Sequence, residues 1–180
     1  MTVISEINQK GGVSKTTTVH NLAAGLSRKG YKVLAIDLDP QANLSTISGS
    51  KKATRTSCDL LQEGDTLKAI QHLSEFDLIP GSDMLTAIER TMTETGKEYK
   101  LKEALEPVRK SYDYILIDTP PSLSVLSVNA LTCSDQIIIP ANADLLSFTG
   151  LTQLASTVTT IKKYTNPNLK VMGVLITKWN

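Results

Sequence analysis

Short apolar runs alternate along the chain with longer segments in which apolar residues recur every three or four positions. The short runs predict six strands, at residues 3–7, 33–38, 76–79, 114–117, 136–139 and 171–176. The periodic segments predict five helices, at residues 15–28, 83–95, 97–110, 122–131 and 145–164. Several of the runs are apolar at consecutive positions, so the strands are expected to be buried on both faces, as in a parallel sheet.

The alternation of strands and helices predicts an α/β fold that is doubly wound. The expected arrangement is a mostly parallel sheet with helices on both faces, a three-layer α/β/α domain with right-handed crossovers. A chain of 180 residues is long enough for one such domain, and we assign residues 1–180 to it. The polar, basic segment 48–56 is interpreted as a solvated loop, with a binding patch as the alternative.

Composition narrows the class of protein without identifying it. The net charge of +1 creates no global field that would indicate a nucleic-acid or membrane partner. Aromatic residues make up only 4% of the chain, which disfavours a platform for base stacking. Cys58 and Cys133 are far apart in the sequence and are interpreted as reduced thiols. The apolar runs are too short to span a bilayer, and the first is interrupted by Glu6, so no signal peptide is expected.

The segment 9–18 carries the clearest chemical signal. It reads Gln-Lys-Gly-Gly-Val-Ser-Lys-Thr-Thr-Thr and lies between the first predicted strand and the first predicted helix. Backbone N–H groups of a glycine-rich turn and the following helix N-terminus together bind phosphate oxygens. Lys15 is placed to reach the β- and γ-phosphates, and the Thr16 hydroxyl to ligate Mg²⁺. The alternative is a glycine turn with two surface lysines. The predicted nucleotide-binding residues of this segment are Lys10, Gly11, Gly12, Val13, Ser14, Lys15, Thr16 and Thr17.

Carboxylates follow two other predicted strands. Ligands bind at the carboxyl ends of parallel strands, so these carboxylates are expected to lie near the glycine-rich turn. Asp118 closes the apolar run Tyr-Ile-Leu-Ile-Asp and is predicted to help hold Mg²⁺, with a helix-capping role as the alternative. Asp37 and Asp39 flank Leu38 and are predicted to perform different roles. A turn before Pro40 is the alternative explanation for Asp39.

Three motifs together resemble those of a known family. Lys-Gly-Gly-Val-Ser-Lys-Thr resembles the deviant Walker A motif of the ParA/MinD group of P-loop ATPases, with Ser14 where that group has glycine. Asp-Leu-Asp-Pro-Gln-Ala-Asn, from Asp37 onward, resembles its second motif apart from the glycine usual at Ala42. Ile-Asp-Thr-Pro-Pro-Ser, around Asp118, resembles its Walker B region. The motifs occur in the family's order, and the chain therefore resembles a ParA-type partition ATPase, a P-loop NTPase.

This resemblance implies a set of cofactors and residue roles. It implies that ATP and Mg²⁺ are bound and that Lys15 and Asp39 are catalytic, Asp39 by orienting or activating the attacking water. It implies that Lys10 reaches into the nucleotide of a partner subunit. It implies that Asp37 supports a magnesium site formed by Thr16 and Asp118. Asn180 is a candidate contact to the adenine base.

The resemblance also implies partners and a cellular role. The family forms an ATP-dependent homodimer that binds DNA nonspecifically. A centromere-binding ParB-type partner protein stimulates its hydrolysis during plasmid or chromosome segregation. The implied location is cytoplasmic and associated with the nucleoid. A MinD-type membrane ATPase would need a basic amphipathic C-terminal helix. This sequence shows no such helix, so no membrane partner is expected.

Two departures from the family pattern modify these expectations. Ser14 keeps its N–H donor but adds a β-carbon beside the phosphates, so we expect nucleotide binding to be retained and hydrolysis to be slow. Family chains usually continue past residues 177–180, so the domain is expected to be truncated, with an exposed sheet edge and with DNA binding in doubt. The competing hypothesis is a nucleotide-binding regulator or interaction module with little or no hydrolysis. His20 and His72 have no partners at ligand spacing and are interpreted as structural or solvated.

Overall fold

The computed structural model describes residues 1–143 and 145–178. Its strands are β1 (Thr2–Glu6), β2 (Val33–Asp37), β3 (Gln71–His72), β4 (Asp77–Ile79), β5 (Tyr114–Asp118), β6 (Gln136–Asn142) and β7 (Lys170–Thr177). They form one seven-stranded sheet in the order β3-β4-β2-β5-β1-β6-β7. Only the pair β3–β4 is antiparallel among these strands. The predicted mostly parallel sheet is confirmed, and each of the six predicted strands is present.

The helices are α1 (Lys15–Arg28), α2 (Asn43–Ile47), α3 (Ser57–Glu63), α4 (Thr66–Ala69), α5 (Leu85–Thr91), α6 (Lys100–Leu105), α7 (Val125–Cys133) and α8 (Leu145–Tyr164). The first and last of these match their predicted bounds. The predicted helix 97–110 is wrong in extent, because α6 is flanked by 3₁₀ turns at Lys97–Tyr99 and Glu106–Val108. Pro107 lies in the second of these turns, where its missing N–H prevents a regular helix from continuing.

The three layers are visible in the packing on the two faces of the sheet. On one face Ile4, Ala35 and Leu116 pack against Val19 and Ala23 of α1. The opposite face packs against α3, α5, α6 and α7, through the buried cluster Val3, Leu34, Ile36, Ile115, Ile117, Leu60, Leu85, Leu105 and Ala130. All five residues of β2 are buried, so the prediction of strands covered on both faces holds in the middle of the sheet.

β7 differs from the central strands because it lies at one edge of the sheet and pairs with β6. Five of its apolar side chains are 41–52% exposed: Val171, Met172, Val174, Leu175 and Ile176. β7 is therefore an exposed edge strand, as the sequence analysis expected. Exposed edge strands favour self-association. Within residues 1–143 and 145–178, no helix combines the length and the apolar character needed to cross a membrane.

The segment 48–56 contains no helix or strand. Lys51 and Lys52 are exposed, whereas the Arg55 guanidinium lies 3.1 Å from Asp59 and 2.5 Å from Glu63. This arrangement favours the solvated loop over the binding patch, because one of its three cations is already paired with acidic side chains.

Candidate functional site

The turn between β1 and α1 is held in place by Asn8. The Asn8 side-chain amide donates to the carbonyl of Pro140 in β6 at 2.7 Å, and its amide oxygen accepts from the backbone N–H of Lys10 at 2.9 Å. Asn8 is buried, so both contacts are shielded from water. The entry to the glycine-rich turn is therefore fixed to the neighbouring strand.

The backbone of the turn forms the predicted concavity. Gly12 and Ser14 both have φ of 71°, in the left-handed region, with one residue between them. Backbone N–H groups converge in turns that include left-handed residues and can bind an anion. Ser14 precedes α1 and makes no side-chain capping hydrogen bond. The N–H groups of the first helical turn thus have no such cap, and the positive end of the helix dipole faces the concavity.

Lys15 is buried at the start of α1. Its Nζ donates to the carbonyl of Asn8 at 3.0 Å and lies 3.4 Å from the carbonyl of Lys10. Burial lowers the pKa of this ammonium, while the nearby carboxylates of Asp118 and Asp39 act in the opposite direction. Lys15 is therefore a positioned cation at the bottom of the turn rather than a surface lysine, which removes the alternative left open by the sequence.

A cavity of about 440 Å³ joins the turn to the loop after β2. It is lined by Gly11, Gly12, Ser14, Lys15, Thr16, Thr17, Asp39, Gln41, Asn43, Ile47 and Pro121. Its volume suits a small-molecule ligand. A second cavity of similar volume lies near Ser27 and Tyr112, away from the predicted site residues.

Asp118 lies at the end of β5, directly beside β1. Its side chain is fully buried, and neither carboxylate oxygen has a hydrogen-bond partner within the described part of the chain. Burial raises its pKa to about 7, with smaller contributions from the charges of Asp37 and Asp39 and against the opposing effects of the Thr16 side chain and Lys15. A buried carboxylate without partners costs free energy until a cation or water reaches it. Asp118 and Thr16 therefore fit the demands of a Mg²⁺ ion.

Asp37 and Asp39 differ in their surroundings. Asp37 is buried, and its carboxylate accepts from the backbone N–H of Asp39 at 3.1 Å, and from the N–H and hydroxyl of Ser45 at 2.9 and 2.7 Å. Burial nevertheless raises its pKa to about 6. Asp39 lines the cavity, and its Oδ1 accepts from the N–H of Gln41 at 2.9 Å. Asp37 organises the loop, while the Asp39 carboxylate lies at the cavity.

Gly81 is a site residue that sequence reasoning missed. A β-carbon at this position would lie 2.9 Å from Cγ of Asp37 and 3.1 Å from each of its carboxylate oxygens. The Gly81 N–H also donates to the Ser45 hydroxyl at 2.8 Å. Glycine is therefore required here so that the loop after β4 can pack against the Asp37 carboxylate.

We expect Gly81→Ala to lower the free energy of unfolding by about 1–3 kcal/mol, because the added methyl group displaces Asp37 or the loop. Urea unfolding measures this change. Gly25→Ala is the matched control, since the added β-carbon meets nothing within 4 Å in α1 and should stabilise the helix by about 0.5–1 kcal/mol. Equal effects of the two substitutions would contradict the steric role of Gly81.

Ser14 and Ala42 are two non-glycine residues in the left-handed region, with φ of 71° and 50°. They occupy the two positions at which the sequence departs from the family's glycines. A β-carbon makes this backbone conformation costly, by roughly 1–2 kcal/mol. The strain at Ser14 lies in the phosphate-binding turn itself, and the strain at Ala42 precedes α2 beside the cavity.

Ser14→Gly should therefore raise the free energy of unfolding by about 1 kcal/mol and also increase ATP turnover, because it removes both the strain and the β-carbon from the turn. Ala42→Gly should match the gain in stability with a smaller effect on turnover. Thermal unfolding and steady-state phosphate release measure the two quantities. An unchanged turnover rate in Ser14→Gly would exclude Ser14 as a cause of slow hydrolysis.

The end of β7 makes two hydrogen bonds to the glycine-rich turn, and the sequence did not predict these contacts. The Thr177 hydroxyl donates to the carbonyl of Val13 at 3.2 Å, and the Lys178 ammonium donates to the carbonyl of Gly12 at 2.7 Å. Lys178 is exposed and has φ of 52°. Asn180, the predicted base contact, lies outside the described residues.

The two histidines have structural contacts. His20 Nδ1 lies 3.0 Å from the Ser48 hydroxyl, and its ring packs edge-on against Phe76. His72 Nδ1 lies 2.7 Å from Asp77, and its side chain is largely exposed. Cys58 and Cys133 are free thiols, as predicted. Within the described ranges, no three His, Cys, Asp or Glu side chains are grouped as direct metal ligands.

Comparison with known sequences agrees with this site. A protein-family model described as an AAA domain matches residues 1–171. The sporulation initiation inhibitor protein Soj of Bacillus subtilis is 41% identical, and the match covers 97% of this chain and 72% of Soj. The chromosome partitioning protein ParA of Caulobacter vibrioides is 39% identical, with 99% of this chain and 70% of ParA covered.

Comparison with solved structures supports the same relationship. A Mycobacterium smegmatis structure described as cobyrinic acid a,c-diamide synthase, with bound ADP and magnesium, superposes with a TM-score of 0.95 at 36% identity. The match covers all of this chain and 76% of that chain. Fold, turn geometry and sequence identity agree, and the chain therefore belongs to the ParA-type partition ATPase family of P-loop proteins.

Proposed function

We propose that this chain binds and hydrolyses ATP with Mg²⁺ and acts in DNA partition as an ATP-dependent dimer. The observation that carries the proposal is the convergence at one cavity of the left-handed turn, the buried Lys15 ammonium and the Asp39 carboxylate. The Asp118 carboxyl group is buried beside Lys15 and Thr16, outside the cavity lining. Relatives named for chromosome partitioning supply the biological role. The contacts described above support the proposed residue roles, except that of Lys10, which is supported by the family resemblance.

In this proposal the N–H groups of residues 11–17, which include the start of α1, bind the phosphates. Lys15 contacts the β- and γ-phosphates, where it neutralises charge that develops during phosphoryl transfer. Thr16 and Asp118 hold the magnesium ion, which neutralises charge on the phosphate oxygens when it is bound. Asp37 supports that site indirectly, because it holds the backbone of Asp39.

Asp39 orients the attacking water or accepts its proton. Its carboxylate lies at the same cavity as Lys15 and Thr16, and a hydrogen bond from Gln41 holds one of its oxygens. Positioning of this kind supplies much of the rate enhancement in phosphoryl transfer. Lys10 reaches the nucleotide of the partner subunit, so the active site is complete only in the dimer. Nonspecific DNA and a ParB-type protein are the proposed partners of that dimer.

Light scattering with Mg-ATP and with Mg-ADP tests the proposal. We expect a monomer with ADP, a dimer with ATP, and a monomer under both conditions for Lys15→Ala. A monomer in every state, together with no ATP binding in a titration, would contradict the proposal. Phosphate release with and without DNA then measures whether hydrolysis is slow and stimulated.

A second candidate function is a nucleotide-dependent regulator that hydrolyses little or no ATP. The left-handed Ser14 favours it, because its β-carbon crowds the turn that must hold the γ-phosphate during transfer. Nucleotide-dependent dimerisation without measurable phosphate release in the parent chain, together with release that appears in Ser14→Gly, would favour this second function.

A further inference from the structure

Glu6 is the last residue of β1, the strand that leads into the phosphate-binding turn. Its Cα is in register with that of Asp118 in β5, and Asp118 is in register with Asp37 in β2. Residues paired across parallel strands project to the same face of the sheet. The face is the one covered by α1, because Ile4, Leu116 and Ala35, two positions earlier on each strand, pack against that helix. Three carboxyl groups therefore lie in one row beneath the start of α1.

The three members of this row differ in how their oxygens are satisfied. The Asp37 carboxylate accepts three hydrogen bonds, from Asp39 and Ser45. Glu6 is 1% exposed, and among the described residues no donor lies within hydrogen-bond distance of its carboxyl oxygens. The Asp118 oxygens also lack a hydrogen bond of ordinary geometry, although the Thr16 side chain is near enough to lower the pKa of Asp118. Four unsatisfied carboxylate oxygens thus lie on adjacent strands, close to Thr16 and Lys15.

Buried carboxyl oxygens without donors cost free energy, and native proteins satisfy such groups with water, ions or protein donors. Lys15 makes its hydrogen bonds to backbone carbonyls of Asn8 and Lys10. Water molecules are the remaining candidate donors, and those bound to a cation are the ones that a phosphate-binding turn would bring here. Mg²⁺ keeps several waters and binds through one or two carboxylates, so two adjacent open carboxyl groups suit its hydration shell.

We propose that Glu6 supplies a second carboxyl group to the magnesium site, which accepts hydrogen bonds from the metal's water shell beside Asp118. This inference rests on the proposed function, since it assigns a further residue to the same metal. Glu6 acts through water, because the described side chains do not include three direct ligands grouped around one point. Outer-shell partners of this kind typically change metal affinity by about 10–100-fold.

Titration with Mn²⁺, followed by the EPR signal of the free ion, tests the inference on the full chain with ADP bound. We expect Glu6→Gln to weaken Mn²⁺ binding about tenfold or more, while ADP affinity measured in EDTA stays within about twofold of the parent. Glu6→Met, which has a similar volume and no carboxyl group, should give the same result. Glu103→Gln, an exposed substitution on α6, is the matched control and should leave both affinities unchanged.

The possible outcomes are distinct. Unchanged Mn²⁺ affinity in folded Glu6→Gln and Glu6→Met would overturn the role of Glu6 and leave the proposed function intact. An equal loss of Mn²⁺ affinity and of metal-free ADP affinity would also overturn it, because Glu6 would then act on the nucleotide through Lys15. Failure of the parent chain to bind either ADP or Mn²⁺ would contradict the proposed function itself.

Discussion

Lys15→Ala should reduce ATP affinity at least about 100-fold and abolish ATP-dependent dimerisation. The ammonium is buried and already positioned by the carbonyls of Asn8 and Lys10. In the proposed function it would therefore contribute a desolvated, charge-assisted contact to the phosphates. Loss of one partner from such a buried charged contact costs about 2–5 kcal/mol, and 2.7 kcal/mol already corresponds to a factor of 100. Isothermal titration with ATP measures the change.

Lys29→Ala is the control for this prediction, because Lys29 is exposed just after the end of α1. It removes the same charge from the chain without changing the turn. Thermal unfolding establishes that both variants are folded. ATP affinity within about threefold of the parent in folded Lys15→Ala would contradict a phosphate-binding role for this residue.

Asp39→Ala should reduce the rate of ATP hydrolysis about 100-fold or more while ATP binding and dimerisation persist. The residue lies at the cavity but is not in the phosphate-binding turn, so its loss affects the attacking water and not the contacts to the phosphates. Positioned acid–base groups typically contribute about 10²–10⁴-fold to rate. Single-turnover phosphate release measures the rate of hydrolysis, and a separate titration measures ATP affinity. Together they show whether Asp39→Ala changes the rate without changing binding.

Asp83→Ala, at an exposed carboxylate outside the cavity lining, is the control for Asp39. Asp39→Asn adds a further distinction, because an amide can hold a water molecule by hydrogen bonds but cannot accept its proton. Partial activity in Asp39→Asn would indicate orientation of the water, whereas loss equal to Asp39→Ala would indicate proton transfer. A loss of ATP affinity parallel to the loss of rate would contradict the assignment.

Helices and strands that are long enough to show a hydrophobic repeat could be predicted from the sequence. Elements too short to show such a repeat could not. α1 begins and ends where its apolar stripe, the preceding turn and Gly30 indicate. By contrast, α2, α3 and α4 have four to seven residues, fewer than two helical turns, and β3 has two residues. These elements were missed because such lengths leave no hydrophobic repeat to detect.

Some residues of the site could likewise be predicted from the sequence and others could not, for a different reason. Lys15, Thr16, Asp39 and Asp118 belong to local motifs with recognisable spacing. The roles of Glu6, Gly81 and Lys178 depend on partners that lie 112, 44 and 166 positions away in the chain, Asp118, Asp37 and Gly12 respectively. Nothing in their local sequence specifies those contacts, since strand register and loop packing arise only from the complete sheet.

The central position of β1 has a consequence for how the protein acquires its site during synthesis. β1 is made first, yet it pairs with β5 and with β6, whose residues in register with Glu6 are Asp118 and Ile138. Contacts of such large sequence separation form slowly, and domains fold as the chain emerges from the ribosome. The turn at residues 8–14 therefore cannot be held by both neighbouring strands until most of the domain has been translated. Until then, the nascent chain keeps the apolar strand β1 without either of its neighbouring strands, and exposed apolar segments of this kind bind chaperones.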